Sequence, residues 1–114
     1  MSDNKSKGAL GESLAETYLV KKGFQFAKKN YRYKRSEIDL IVRNEQLIVF
    51  VEVKYRSSNT FGEPESFVSP NQQVKIIEAA DEFIHHLQWQ GNIRFDIIAI
   101  NSKNEIEHFE DAFH

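Results

Sequence analysis

The chain has 114 residues, a formal net charge of −2, 40% hydrophobic and 28% charged residues, and no cysteine. This suits one globular domain with a real core and excludes disordered, collagenous and coiled-coil classes; the missing thiols exclude disulfides, cysteine nucleophiles and zinc fingers. The longest apolar run, Leu47 to Val51, is far short of a membrane span, and polar Met1 to Lys7 leads into no signal-like segment, so a soluble cytoplasmic protein is expected.

A first helix is predicted from about Lys7 to Lys22. Leu10, Leu14, Ala15, Tyr18 and Leu19 share one arc, Glu12 sits at its border, and Gly23 is the stop. Phe24 to Ala27 and Tyr31 to Tyr33 read as short strand or strand lead-in segments. The strongest pattern is an antiparallel hairpin: Glu37 to Val42, a polar break at Arg43 to Gln46, then the β-branched run Leu47 to Lys54. Ser57 to Glu65 is a polar loop, placed where it can clamp a substrate. Ser69 reads as an N-cap with Pro70 at the first helical position. Val74, Ile77, Ala80, Ile84 and Leu87 form the apolar stripe of that second helix, and Gly91 ends it. Ile93 to Ile100 is a last clear strand, and Ile106 to Phe113 is an acidic tail without assigned structure. Helix, three strands, helix, strand predicts one α/β domain with a central mixed sheet flanked by helices.

A hairpin turn centred on Glu45-Gln46 places Asp39 opposite Glu52 and Glu37 opposite Lys54. Alternation then puts Asp39, Glu52 and Lys54 on one face, with cross-strand neighbours about 5 Å apart at Cβ. Two carboxylates that close repel unless a cation joins them. Mg²⁺ or Mn²⁺ takes a few carboxylate oxygens and leaves room for water or phosphate. Lys54 can offset the charge that develops as a P–O bond breaks. The group has the parts for metal-dependent phosphodiester hydrolysis. The alternative is an ordinary ion pair on a wet strand face. Against it, Glu52 and Lys54 end the most apolar run in the chain.

Charge is unevenly divided. Met1 to Arg56 holds 12 Lys/Arg against 7 Asp/Glu, and the remainder holds 3 against 10. The basic half concentrates in Lys28-Lys29-Asn30-Tyr31-Arg32-Tyr33-Lys34-Arg35. Lys28, Lys29, Arg32, Lys34 and Arg35 suit phosphates, Tyr31 suits an unpaired base, and Arg56 lies just past Lys54. A solvated charge run on an edge strand is the alternative. Arg94 and Asp96 read as a structural ion pair. His85, His86, His108 and His114 read as solvated or partly packed. No Gly-rich phosphate loop and no Ser/His/Asp spacing supports ATP use or acyl transfer.

Asp39…Glu52-Val53-Lys54 resembles the acidic-x-Lys signature of the PD-(D/E)XK nuclease superfamily, the restriction-endonuclease-like fold. Gly11-Glu12, Asn30-Tyr31-Arg32, Glu37-Ile38-Asp39-Leu40-Ile41, Phe50 to Arg56, Phe61-Gly62, Arg94-Phe95-Asp96 and Asp111-Ala112-Phe113 together resemble the YraN family. These are small bacterial proteins regarded as candidate endonucleases. The resemblance runs from about residue 8 to 113 and implies a fold similar to Holliday-junction resolvases. It also implies roles. Asp39 and Glu52 would bind Mg²⁺ with the Val53 carbonyl, Lys54 would assist the attacking water or the phosphate, and Glu12 would complete the metal site. Members of that family tend to carry a basic residue early in the second helix, where this chain has Gln72. Lys75, one turn later, is the candidate substitute.

The expectation is a metal-dependent nuclease acting on DNA, branched or single-stranded. Its rivals are a binder that grips nucleic acid without cutting, and an interaction module that docks its basic stripe on an acidic partner. Cutting a junction takes two active sites, which makes a homodimer one expectation.

Overall fold

The computed structural model describes residues 2–56 and 68–114, with side chains from residue 9 onward. The loop from Ser57 to Glu65 therefore lies outside the described residues. In chain order the elements are α1 (Ser2–Lys21), β1 (Gln25–Tyr33), β2 (Ser36–Arg43), β3 (Leu47–Tyr55), α2 (Pro70–Leu87), β4 (Asn92–Ile100) and β5 (Ile106–Phe113). The strands form one five-stranded sheet in sequential order β1 to β5. Only β3 and β4 run parallel, joined by the crossover that contains α2, so the sheet is mixed. A mixed sheet with flanking helices fits the restriction-endonuclease-like fold expected from the sequence.

Each helix covers one face. Ala15 and Leu19 of α1 pack with Leu40, Val42, Val49, Val51, Ile98 and Ile100. Ile76, Ala79 and Ala80 of α2 pack with Ile38, Ile41, Ile48, Phe50, Phe95, Ile97 and Phe113. Central β3 and β4 are apolar on both faces, as a strand covered from both sides must be.

Local signals explain the ends of these elements. Gly23 follows α1 with φ 106°, a left-handed conformation that costs glycine little. Ser69 caps α2 by accepting the Gln72 amide at 3.2 Å, and Pro70 opens the helix. Asn44 turns β2 into β3, its Oδ1 accepting the amides of Gln46 and Leu47 at 2.9 Å each. The β2–β3 ladder pairs Leu40 with Val51 and Ile41 with Phe50, the register predicted from the turn.

Four expectations need correction. The acidic tail is a strand, β5, which packs Phe109, Ala112 and Phe113 on the α2-side core and holds His108 by polar contacts to Asp96 and Tyr18. Phe24 leads into β1, and Gln25 to Ala27 and Tyr31 to Tyr33 belong to that one strand, whose alternation is broken by a bulge between Phe26 and Lys28. The buried line of α2 runs through Ile76, Ala79 and Ala80, while Val74 and Leu87 are exposed. Gly91 does not end α2, which stops earlier on Gln88 at φ 55°. Gly91 instead fits beneath Trp89, where an added Cβ would meet the indole at 2.5 Å and the Gln46 carbonyl oxygen at 2.8 Å.

Candidate active site

The site begins where β2 departs from regular alternation. Ile38 packs on the α2 side and Leu40 on the α1 side, so the two-residue period slips at Asp39 between them. Facing that slip on β1 is Asn30, with φ 53°, between the pairs Lys29–Leu40 and Tyr31–Ile38. The β2–β3 ladder ends at Leu40–Val51, so Asp39 and Glu52 are not ladder partners as the simple register implied. Asp39 turns its side chain across the gap instead, and its Oδ2 accepts the Val53 amide at 2.8 Å.

Glu52 follows Ile48 and Phe50 on the α2 face and is 7% exposed. Its Oε2 receives the Lys54 ammonium at 3.1 Å and the Gln72 amide at 3.2 Å. Gln72 stands one turn into α2, so the cap at Ser69 also fixes the donor that steadies Glu52. Glu37 pairs with Arg32 at 3.5 Å; Lys54 is held by Glu52, not by Glu37.

Electrostatically the pair is strained. Burial, then the negative charge of Glu52, pushes the Asp39 carboxyl up to about 8. Burial also raises Glu52, against the opposing pull of the Lys54 charge and of hydrogen bonds from Lys54 and Asp39. Two carboxyl groups in contact share a proton or a cation. Glu12 approaches from α1 and is raised by burial, with Lys29 pulling the other way. Its charge acts on Asp39 as well. Among the described residues no group of three or more His, Asp or Glu side chains converges tightly enough to hold a metal ion. Asp39 and Glu52 are the two carboxyl groups in contact, and the Glu12 charge reaches them from α1.

Asp39 and Glu52 open into a cleft of about 370 Å³ between β2 and the start of α2. Arg35, Glu37, Gln72 and Lys75 line it, so Gln72 and Lys75 occupy one wall together. Lys54 is not among the lining residues.

The structure divides the predicted nucleic-acid contacts. Arg35 and Lys75 face the cleft. Lys28 borders a separate notch with Tyr31, Phe83, His86 and Leu87. Tyr31 packs edge-on against Phe83 at 5.2 Å, so one side of its ring belongs to the core. Lys29 lies toward Glu12, Arg32 binds Glu37, and Lys34 lies over the Tyr33 ring at 5.3 Å. Arg56 donates its amide to the Ile100 carbonyl at 2.7 Å, just beyond β3.

Two features escaped the sequence reading. Asn30 is one; an asparagine among strand residues is a poor β-former that tolerates positive φ, and that signal was available. The other is a buried polar chain on the α1 side. Asp96 is fully buried and takes a two-point pair from Arg94, 2.8 Å at each contact, and the Asp111 amide at 3.1 Å. His108 Nε2 lies 2.7 Å from Asp96, and its Nδ1 lies 3.2 Å from the Tyr18 hydroxyl. The Arg94–Asp96 pair is as expected, whereas His108 is packed inside and ties β5 to β4 and α1.

Among the described residues no helix is long and apolar enough to cross a membrane. Residues 11–100 match the model of the uncharacterised protein family UPF0102. A UPF0102 protein of Flavobacterium psychrophilum is 39% identical over 100% of this chain and 98% of its own length. One of Thermodesulfovibrio yellowstonii is 44% identical over 93% of this chain and 94% of its own. One of Natranaerobius thermophilus is 42% identical, covering 97% and 99%.

Proposed function

The chain belongs to the uncharacterised protein family UPF0102, and from its site we propose that it is a divalent-metal-dependent nuclease of the PD-(D/E)XK type. The observation that carries this reading is the pair of touching carboxyl groups, Asp39 and Glu52, in a cleft that Arg35 and Lys75 line together with Glu37. Such a pair is unfavourable unless something positive is bound, and its all-oxygen character suits Mg²⁺ or Mn²⁺. A bound divalent ion would supply an activated water and neutralise charge on the scissile phosphate.

The remaining work falls to the chain's own residues. Lys54 and Gln72 grip one oxygen of Glu52 and fix the orientation of its carboxylate. Val53 does the same for Asp39 through its amide. Arg35 and Lys75 on the cleft walls attract and seat a phosphodiester backbone. Lys28, Lys29, Arg32 and Lys34 extend positive charge along β1 for flanking nucleotides. The substrate in this reading is DNA, branched or single-stranded, handled by a homodimer where two cuts are needed.

A second reading keeps the binding and drops the cutting. It is favoured by Gln72, a neutral donor at the place where a basic residue would press on the phosphate. The test is cleavage of labelled single strand, duplex, flap and four-way junction with Mg²⁺, Mn²⁺ or EDTA. Metal-dependent cutting that Asp39→Ala abolishes supports the nuclease. Salt-sensitive binding with no cutting under any metal supports the binder and sets the nuclease aside.

A further inference from the structure

We propose that Asn30 is a positioning residue that holds the Glu12 carboxylate toward the Asp39–Glu52 pair and thereby strengthens metal binding; this rests on the metal-site reading above. Glu12 belongs to α1, on the opposite face of the sheet from Glu52. Its charge reaches the pair where the β2–β3 ladder has ended and β1 is interrupted. Asn30 makes that interruption. Its left-handed φ of 53° sits opposite the slip at Asp39. The Asn30 amide faces only acceptors on this side, which assigns its nitrogen rather than its oxygen to α1; so assigned, it donates to both Glu12 oxygens at 3.2 Å.

The chemistry of the donor matters. Lys29 is adjacent, and its charge already acts on Glu12. A lysine clamped onto Glu12 would cancel the negative charge. A neutral amide orients the carboxylate and leaves its full charge to act on a cation held by Asp39 and Glu52. Polar partners just outside a metal's ligands typically change affinity 10- to 100-fold when removed.

The test is calorimetric titration of Mn²⁺ into the full chain as wild type, Asn30→Gly, Glu12→Gln and the double variant. Glycine accepts the left-handed backbone, so Asn30→Gly removes the amide while sparing the fold. We expect Asn30→Gly to weaken Mn²⁺ binding about tenfold, with its thermal midpoint within about 2 °C of wild type. Glu12→Gln should weaken binding at least as much, and the double variant should bind no more weakly than Glu12→Gln alone. An unchanged affinity in Asn30→Gly, or losses that multiply in the double variant, overturns the positioning role alone. A wild type that takes up no Mn²⁺ overturns the metal site and this inference with it.

Discussion

Asp39→Asn is expected to stabilise the metal-free protein, by an amount that grows with pH. Burial and the adjacent Glu52 charge raise the Asp39 carboxyl from 3.8 to about 8. The folded chain thus keeps a proton that the unfolded chain has released. The stabilisation from that proton is complete below about pH 4 and is lost as pH rises through about 8. At about 1.4 kcal/mol per unit, the span from 3.8 to pH 7 corresponds to at most about 4 kcal/mol. Relaxation and water entry reduce such penalties in real interiors, leaving about 1–2 kcal/mol. For a chain of this length that is a rise in midpoint of about 4–8 °C. Asparagine preserves the geometry, because its oxygen can accept the Val53 amide while its nitrogen donates to Glu52 as protonated Asp39 does. The assay is thermal unfolding by circular dichroism in EDTA from pH 4 to 9. A variant no more stable than wild type at pH 8, or shifted equally at pH 4 and 8, refutes the argument from carboxylate repulsion. Adding Mn²⁺ should reverse the ranking, raising the midpoint of wild type and not of the variant.

Three further outcomes follow from the same geometry. Burial by itself would raise Asp96, but hydrogen bonds from His108, Arg94 and the Asp111 amide outweigh it and hold Asp96 below its ordinary value. Its contribution is therefore present above about pH 4 and lost as pH falls; Asp96→Asn should cost on the order of 3 kcal/mol at pH 7 and flatten the acid limb of a urea-midpoint profile. An unchanged midpoint at pH 7 would contradict the buried network. Ser69→Ala removes the α2 cap and should cost about 1 kcal/mol, read as a loss of about 4 °C in melting temperature. Replacing Lys28, Lys29, Arg32 and Lys34 together by alanine should reduce the salt dependence of single-strand binding, by roughly 0.7 in log–log slope per lost phosphate contact. A slope identical to wild type means that β1 does not touch the backbone.

The hairpin was legible because its information is local. A polar break between two apolar runs fixed the register, and the register brought Asp39 near Glu52. The sequence did not reveal that the ladder ends at Leu40–Val51, since that depends on Asn30 in another strand bending β1 opposite Asp39. β5 was illegible for a related reason. Its inward side carries His108, 5% exposed at the side chain, and a histidine earns an interior place only through Asp96 and Tyr18. Asp111, with φ 53°, also interrupts its alternation. The α2 stripe was misplaced by a fraction of a turn, because Val74 and Leu87 are apolar yet exposed. Arg35 and Lys75 were both named from the sequence, while their shared cleft comes from α2 crossing over β2.

The connection between β3 and β4 has a consequence for how the site assembles and how it comes apart. The hairpin closes over three residues, Asn44 to Gln46, whereas the parallel β3–β4 pairing closes over 36, from Arg56 to Gly91. By loop-closure entropy the second costs about 2 kcal/mol more than the first. Asp39 and Glu52 lie within the short loop's reach; Gln72 and Lys75 arrive only with the long one. A fluctuation that lifts α2 and β4 together dissolves the cleft while the two carboxyl groups stay side by side. Amide hydrogens around the Ser69 cap should therefore exchange well before those of Val49 and Val51, so that the wall carrying Gln72 and Lys75 comes and goes over a lasting acidic floor.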